Sequence, residues 1–403
     1  MRILVFNAGS TSLKFGLFDP AALAPVAGGS LDWADGNRQQ ATLALAIGGR
    51  EALRQTVAVP DSRAAVELAL GSLPQDHDMA AVGHRVVHGG HEFSASCRLD
   101  GPVKAAISRL SRLVPLHNPP ALAVIEAVEE LLPGVPQAAV FDTAFFAGLS
   151  PRASLYALPG EWVEKWGLKR IGFHGISHAY CALRAAEILG VRPRPLRQIT
   201  CHLGGGCSAA ALLGGQPVAT TMGFSPLEGL IMGTRCGSVD PGLLIYLQRE
   251  CGLSLEELDA GLNHRSGLLG LSGVSSDPAR LATAAAAGNP RARLALDIFA
   301  DRVRSAIGAL ATNLGGLDVL VFTDRIGEND PGLRASITAG LEFLGVEIDP
   351  DRNGRCVPDT DVSRPGSPAR ILVLRTREEW MIARDTSLAL GLGVKADAST
   401  AGL

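Results

Sequence analysis

Short apolar runs closed by glycine- or serine-rich turns alternate along this chain with longer stretches of helical periodicity, the pattern of strands and helices in a layered α/β protein. Ile3-Leu4-Val5-Phe6 leads through the polar turn Asn7-Ala-Gly-Ser-Thr-Ser-Leu-Lys14 into Phe15-Gly16-Leu17-Phe18, which predicts a hairpin of two buried strands. The order of strand, glycine turn and strand returns in the second half as Ile199-Thr-Cys201, His202-Leu-Gly-Gly-Gly206 and Ala209-Ala-Ala-Leu-Leu213. A further strand is predicted at Asp318-Val-Leu-Val-Phe322, followed by the loop Thr323-Asp-Arg-Ile-Gly-Glu-Asn329 and a helix signalled by Asp330-Pro331.

Proline and glycine punctuate the helices. Pro119-Pro120 opens one that runs through Leu122, Ile125, Val128 and Leu131 to Pro133-Gly134, and Asp240-Pro241 opens another through Leu244 and Leu247 to Gly252. Ser254 with Glu257 forms a capping-box pattern. The longest helical pattern starts at Asn289-Pro290, passes Leu294, Ile298, Val303, Ile307 and Leu310, and ends at Gly315-Gly316. A last helix is expected from about Glu378 to Leu390, crossing back onto the first domain. Three glycine or polar loops in two similar halves predict a duplicated α/β fold that holds a nucleotide or polyphosphate in the cleft between the halves. The domain change is placed near Ser150-Pro151, giving residues 1–148 with about 384–403 as one domain and 149–383 as the other.

Composition narrows the class. At 403 residues and 47% hydrophobic, the chain is long enough for two substantial cores. With 37 basic and 40 acidic residues, a net charge of −3 and no run of one sign, it points to small-molecule work and away from nucleic acid or a membrane surface. The seven cysteines are odd in number and contain no CxxC pair, as expected of reduced thiols in a cytoplasm. Met1-Arg2 runs straight into a strand, with no leader and no spanning segment expected.

The chemistry gathers at the turns. Gly9 lets an anion approach the backbone, the hydroxyls of Ser10, Thr11 and Ser12 offer donors and Lys14 a point charge, although an ordinary serine-rich hairpin tip reads the same way. Arg85 in His84-Arg85-Val-Val-His88-Gly-Gly90 and Arg235 in Gly233-Thr-Arg235-Cys-Gly237 suit a carboxylate or phosphoryl group, because the guanidinium fork binds such anions bidentately. His174 and His178 stand four apart, a metal spacing if helical, but Gly172 and Gly175 disfavour a regular helix across them. His84, His88 and His91 read as packing or hydrogen-bonding residues. Asp142, ending an apolar run, is either an orienting or metal-binding carboxylate or a turn cap.

In order along the chain, NAGSTSLKF at 7–15, HRVVHGG at 84–90, PLHNPP at 115–120, FDTAF at 141–145, GFHGISH at 172–178, HLGGG at 202–206, MGFSPLEGLIMGTR at 222–235, GLLGLSGVSSD at 267–277, FTDRIGEN at 322–329 and EEWMIARDT at 378–386 closely resemble the acetate kinase family. That family belongs to the sugar kinase, Hsp70 and actin superfamily. The resemblance implies two duplicated RNase H-like domains with the active site in the interdomain cleft, and reversible phosphoryl transfer between ATP and acetate that yields acetyl phosphate and ADP. It also implies Mg²⁺, with Mn²⁺ as an alternative, and a homodimer. By the same resemblance, Arg85 and Arg235 would clamp the acetate carboxylate and the transferring phosphoryl. His174 would donate to the equatorial oxygens with His117 close by, and Asn7, Asp142 and Glu378 would hold and orient the Mg²⁺. Ser10, Ser12 and Lys14 would line the phosphate channel, and Val87, Leu116, Phe173 and Pro226 the acyl pocket. Nucleotide and phosphates would meet His202, Gly204, Gly205, Gly206, Asp277, Asp324, Arg325, Ile326, Gly327 and Asn329.

Departures from the family pattern fall mainly on the nucleotide side. HLGNG reads with Gly205 in place of asparagine, FTGGIGEN reads with Asp324 and Arg325 in place of two glycines, and Ala279 stands where an arginine is usual. Phe146, Ser238 and Arg377 replace a histidine, an aspartate and an asparagine. The side chains of Asp324 and Arg325 either wall the adenosine site or turn to solvent. Three readings follow: an ATP-dependent acetate kinase, a relative that uses pyrophosphate or another donor, and a catalytically weak nucleotide-driven switch of the same fold.

Overall fold

The computed structural model describes residues 1–9, 12–33, 40–74, 78–115, 117–191 and 195–393. Among these residues the chain divides into two compact units. The first holds Met1–Ala147, Gly175–Ser177 and the segment from Arg377; the second holds Gly148–His174 and His178–Thr376. The return comes at Arg377, ahead of the position near 384 read from the sequence, because the helix Glu378–Leu390 packs as a whole on the strands of the first unit.

In the first unit, the sheet is built from β1 (Arg2–Ala8), β2 (Ser12–Phe18), β3 (Pro25–Trp33), β4 (Gln40–Ile47), β5 (Arg50–Ala58), β6 (Met79–Val86), β7 (Cys97–Arg98) and β8 (Gln137–Phe141), in the order β5-β4-β3-β2-β1-β6-β8-β7. The second unit's sheet comprises β9 (Arg197–Leu203), β10 (Cys207–Leu213), β11 (Gln216–Thr220), β12 (Val319–Thr323), β13 (Thr360–Asp361) and β14 (Arg370–Val373), in the order β11-β10-β9-β12-β14-β13. An identical core lies inside both. The runs β3-β2-β1 and β11-β10-β9 are antiparallel, and each continues into two parallel strands, β6 and β8 in one sheet, β12 and β14 in the other. That repeated topology is the duplication which the two glycine-turn patterns predicted.

Central strands read as unbroken apolar runs because helices cover them: β8 and β12 are buried at every position. The predicted hairpins form, with Phe6 opposite Phe15 across β1 and β2 and Cys201 opposite Ala209 across β9 and β10. The helix Pro290–Leu314 starts at Asn289, whose side chain accepts from the Ala292 amide, and stops at Gly315 with φ of 67°. It buries Leu296, Phe299, Val303, Ile307 and Leu310 on one stripe. The capping box at Ser254 and Glu257 is present in full. Close packing sets the last helix against the first sheet: a Cβ on Gly83 of β6 would lie 2.0 Å from the Thr386 hydroxyl. No helix among the described residues is long and apolar enough to cross a membrane.

One expectation needs correction. The stretch read as a loop after β12 is a short helix, Asp324–Asn329, begun at Thr323. It forms despite its glycine because Arg334, one of the largest fully buried side chains, donates to the carbonyls of Gly327 (2.8 Å) and Glu328 (3.0 Å) and to Asn353 Oδ1 (2.7 Å).

Candidate active site

In both sheets, the chemistry-bearing residues follow the carboxyl ends of the strands, where an open α/β sheet presents ligand sites. In the first unit Asn7 and Arg85 lie near the ends of β1 and β6, Asp142 follows β8 and Glu378 opens the last helix. Four distant stretches of chain thus meet in one polar cluster. Arg85 donates through Nε (2.9 Å) and Nη2 (2.6 Å) to Asp142 Oδ2 and through Nη1 (3.0 Å) to Asn7 Oδ1. Asn7 in turn donates through Nδ2 to Glu378 Oε2 (2.8 Å) and Glu379 Oε1 (3.1 Å). Asp142 has no exposed surface, and its Oδ1 accepts from the Ile176 amide at 3.4 Å.

Charge in this cluster is held against burial. Desolvation disfavours the Arg85 cation, but the carboxylates of Asp142 and Glu378 outweigh it and lift the guanidinium above its ordinary range. Burial, with Glu378 beside it, pushes the Asp142 carboxyl up, while Arg85 pulls it back. Val87 is buried just beyond β6, and His117 caps the helix Asn118–Leu131. Ser12 opens β2, where its carbonyl accepts from the Gly9 amide at 2.8 Å to close the turn, and Lys14 is half-buried on the same strand. Ser10 and Leu116 lie outside the described residues.

The second unit gathers the histidines. His174 sits just before the helix Gly175–Leu189 in a left-handed conformation, φ 57°, so it does not share a helical face with His178. Both rings nevertheless reach one hydroxyl: Ser208 Oγ lies 2.9 Å from His174 Nδ1 and 2.8 Å from His178 Nε2, and His178 Nδ1 lies 2.5 Å from Thr200 Oγ1. The His202 ring stacks on His174 with centroids 4.2 Å apart. The turn between β9 and β10 passes beneath: a Cβ on Gly206 would meet the His174 ring at 3.0 Å and Arg235 Nη1 at 3.7 Å. Any side chain there would force the His174 ring or the turn to give by a few tenths of an ångström. Arg235, its charge opposed by burial, donates to the Pro226 carbonyl at 3.3 Å, and Phe173 is buried beside His174 in sequence.

Asp324 and Arg325 part company. Asp324 is held at φ 63° and turns inward, its carboxylate 3.3 Å from His202 Nε2 and so close over Gly204 that a Cβ there would lie 1.6 Å from Oδ2. Arg325 faces outward, 58% exposed, and reaches Asp277 Oδ2 at 3.3 Å. Ile326 and Gly327 are buried, Asn329 Nδ2 donates to the Arg325 carbonyl at 2.8 Å, and Gly205 has open space around it.

Comparison with known proteins decides the family. The family model for the acetokinase family matches residues 2–384. An acetate kinase of Cyanothece sp. is 47% identical over 399 residues, covering 96% of this chain and 97% of its own. The chain belongs to the acetokinase family. The crystal structure of Porphyromonas gingivalis acetate kinase superposes with a TM-score of 0.87 at 39% identity, covering 96% of this chain and 99% of that one. A propionate kinase from Francisella tularensis gives 0.86 at 34% identity with the same coverages. The acetokinase assignment makes the chain a phosphotransferase with a carboxyl group as acceptor, on the mixed α/β fold with two sheets of the acetate kinase structures.

Acetokinases are nucleotide-dependent kinases, which generally need a divalent metal. The oxygen donors of Asn7, Asp142 and Glu378 fit a hard ion, whereas among the described residues no group of three His, Cys, Asp or Glu forms a metal cage. Ser208 and Arg334 were missed in the sequence, and His178 was marked there only for its spacing to His174. A serine beside a glycine turn carries no signal until the fold brings two histidine rings to its hydroxyl, and Arg334 sits in the sequence like any helical surface arginine.

Proposed function

We propose that this acetokinase catalyses reversible, Mg²⁺-dependent phosphoryl transfer between ATP and acetate, giving acetyl phosphate and ADP. The observation that carries the reading is the buried network of Asn7, Arg85, Asp142 and Glu378. A fold has no need to bury an arginine against two carboxylates, and doing so generally costs stability relative to apolar packing. In this reading, Asn7, Asp142 and Glu378 would hold Mg²⁺, which would supply positive charge to the phosphates. Arg85 supplies a fixed positive charge to the carboxylate and the phosphoryl. Arg235 joins Arg85 in clamping the carboxylate and the phosphoryl, and His174, its ring fixed by the Ser208 contact, donates to the equatorial oxygens with His117 assisting. This matches the demands of phosphoryl transfer, where positioning and electrostatic stabilisation do most of the catalysis. Ser10, Ser12 and Lys14 line the phosphate path. His202, Gly204, Gly205, Gly206, Asp277, Asp324, Arg325, Ile326, Gly327 and Asn329 meet the nucleotide and its phosphates. Val87, Leu116, Phe173 and Pro226 bound the acyl group.

A second copy is the proposed partner. The helix Pro241–Arg249 buries none of its residues and exposes Leu243, Ile245 and Tyr246. The cytoplasm is the proposed location, since none of the seven cysteines is in a disulfide. One assay tests the function: trapping of acetyl phosphate with acetate, Mg²⁺ and either ATP or pyrophosphate. ATP is the expected donor, and turnover with pyrophosphate alone would overturn that choice.

A further inference from the structure

Tyr156, Arg170 and Glu228 take no part in the roles assigned above, yet they form a tightly hydrogen-bonded knot in the second unit. The Arg170 guanidinium spends one nitrogen on backbone: Nη1 donates to the carbonyls of Thr221 (3.0 Å) and Met222 (3.1 Å), while Nη2 donates to Glu228 Oε1 at 2.7 Å. Tyr156 donates its hydroxyl to Glu228 Oε2 at 2.5 Å, and the Tyr156 oxygen itself accepts from the Phe224 amide at 2.8 Å. Burial and the Glu228 carboxylate hold the Tyr156 hydroxyl above its ordinary range, so it stays protonated and able to donate. The guanidinium also packs over the Tyr156 ring, 5.5 Å from its centroid.

One hydroxyl therefore grips both ends of the segment Phe224–Glu228, whose middle residue is Pro226. The Pro226 carbonyl accepts from Arg235 Nη1. The segment is joined to the His174 loop as well, because the amides of Ile171 (2.9 Å) and Gly172 (3.3 Å) both donate to the Gly223 carbonyl. Gly223 must be glycine, since a Cβ would lie 1.7 Å from Glu228 Oε2 and 2.3 Å from the Tyr156 oxygen. We infer that Tyr156, Arg170 and Glu228 are positioning residues that fix Pro226, and through its carbonyl the Arg235 guanidinium, relative to His174, and so set how well the carboxylic acid substrate is held. The inference rests on the proposed placement of that acid beside Pro226 and Arg235.

Tyr156→Phe removes both hydroxyl contacts while Arg170 still neutralises Glu228, so the fold is retained. Glu228→Gln is the second variant, keeping the shape but losing the charge that Arg170 and Tyr156 both address. Each is expected to raise the KM for acetate by about tenfold while the KM for ATP stays within about twofold, the split of a loosened acyl side and an intact nucleotide side. Hydrogen exchange at residues 224–229 should quicken by about tenfold in both variants, with exchange in β9 and β12 unchanged. Either readout left at the wild-type value in both variants overturns the inference. A wild-type protein that makes no acetyl phosphate counts against the functional reading instead, and the exchange measurement alone then decides whether the clamp exists.

Discussion

Asp324 occupies a backbone conformation that favours glycine, φ 63°, and aims a carboxylate at the glycine turn after β9. Asparagine and aspartate tolerate that region best among residues with a Cβ, but the strain still costs about 1 kcal/mol. Asp324→Gly should therefore raise the unfolding midpoint slightly and, by removing a negative charge from the proposed phosphate path, tighten ATP by about tenfold. Arg325→Gly, altering an exposed side chain, should do neither. Calorimetric titration with ATP checks both, and equal affinities in wild type and Asp324→Gly would remove Asp324 from the nucleotide site. The arginines give a larger effect. Arg85→Ala and Arg235→Ala should each lower kcat with acetate by about a hundredfold or more, the few kcal/mol an anion donor contributes in the transition state. An arginine whose alanine variant keeps near-wild-type kcat has been given the wrong role. Val87 is buried beyond β6 and proposed as a wall of the acyl pocket. Val87→Ala should shift the kcat/KM ratio from acetate toward propionate by about 1 to 3 kcal/mol for one methylene, and an unchanged ratio would place the wall elsewhere.

At the scale of elements, the helix that starts at Gly175 shows what pattern reveals and what it hides. The sequence marks glycines around two histidines and so argues against a continuous helix through both; the helix indeed begins after His174. It does not reveal why position 175 is glycine: a Cβ there would lie 1.9 Å from the Asp142 carbonyl and 2.7 Å from Phe145. Gly175→Ala must push the Asp142 turn away from Arg85, so it should destabilise the first unit by about 1 to 3 kcal/mol and abolish most turnover. A variant with wild-type Tm and kcat would show that the turn yields without harm. The hairpins, the long helix and the capping box were legible because each rests on local rules of periodicity, proline and caps. The short helix Asp324–Asn329, the inward turn of Asp324 and the Ser208 meeting point of two histidines were not, because each depends on side chains far away in sequence: Arg334 and Asn353 in the first case, His202 and Gly204 in the second, and the pairing of β9 with β10 in the third.

For the molecule as a whole, buried histidines set how stability follows pH. Burial lowers His84 to about 4, despite its contact with Gln137, and lowers His88 to about 4 as well. Both values lie below the unfolded value of about 6.5, so the unfolded chain takes up these protons first. Their contribution is complete above pH 6.5 and is lost as pH falls from there to 4, by up to about 3 kcal/mol for each histidine. Asp385 works the other way. Burial raises its carboxyl to about 6 although Arg384 pulls it down, so the folded state takes up that proton first and regains stability as pH falls below 6. Between pH 6 and 4 the carboxyl offsets one histidine, which leaves a net loss of about 1.4 kcal/mol per pH unit from these groups. Other carboxylates add their own slopes, so the decisive quantity is a difference between proteins. His84→Gln keeps a hydrogen-bonding side chain opposite Gln137 but cannot titrate, and urea unfolding at pH 7 and pH 4.5 should show a smaller loss for this variant than for wild type by about 2 to 3 kcal/mol. Parallel losses in the two proteins would mean that His84 is charged in the folded state, and the buried, neutral assignment of that ring would fall.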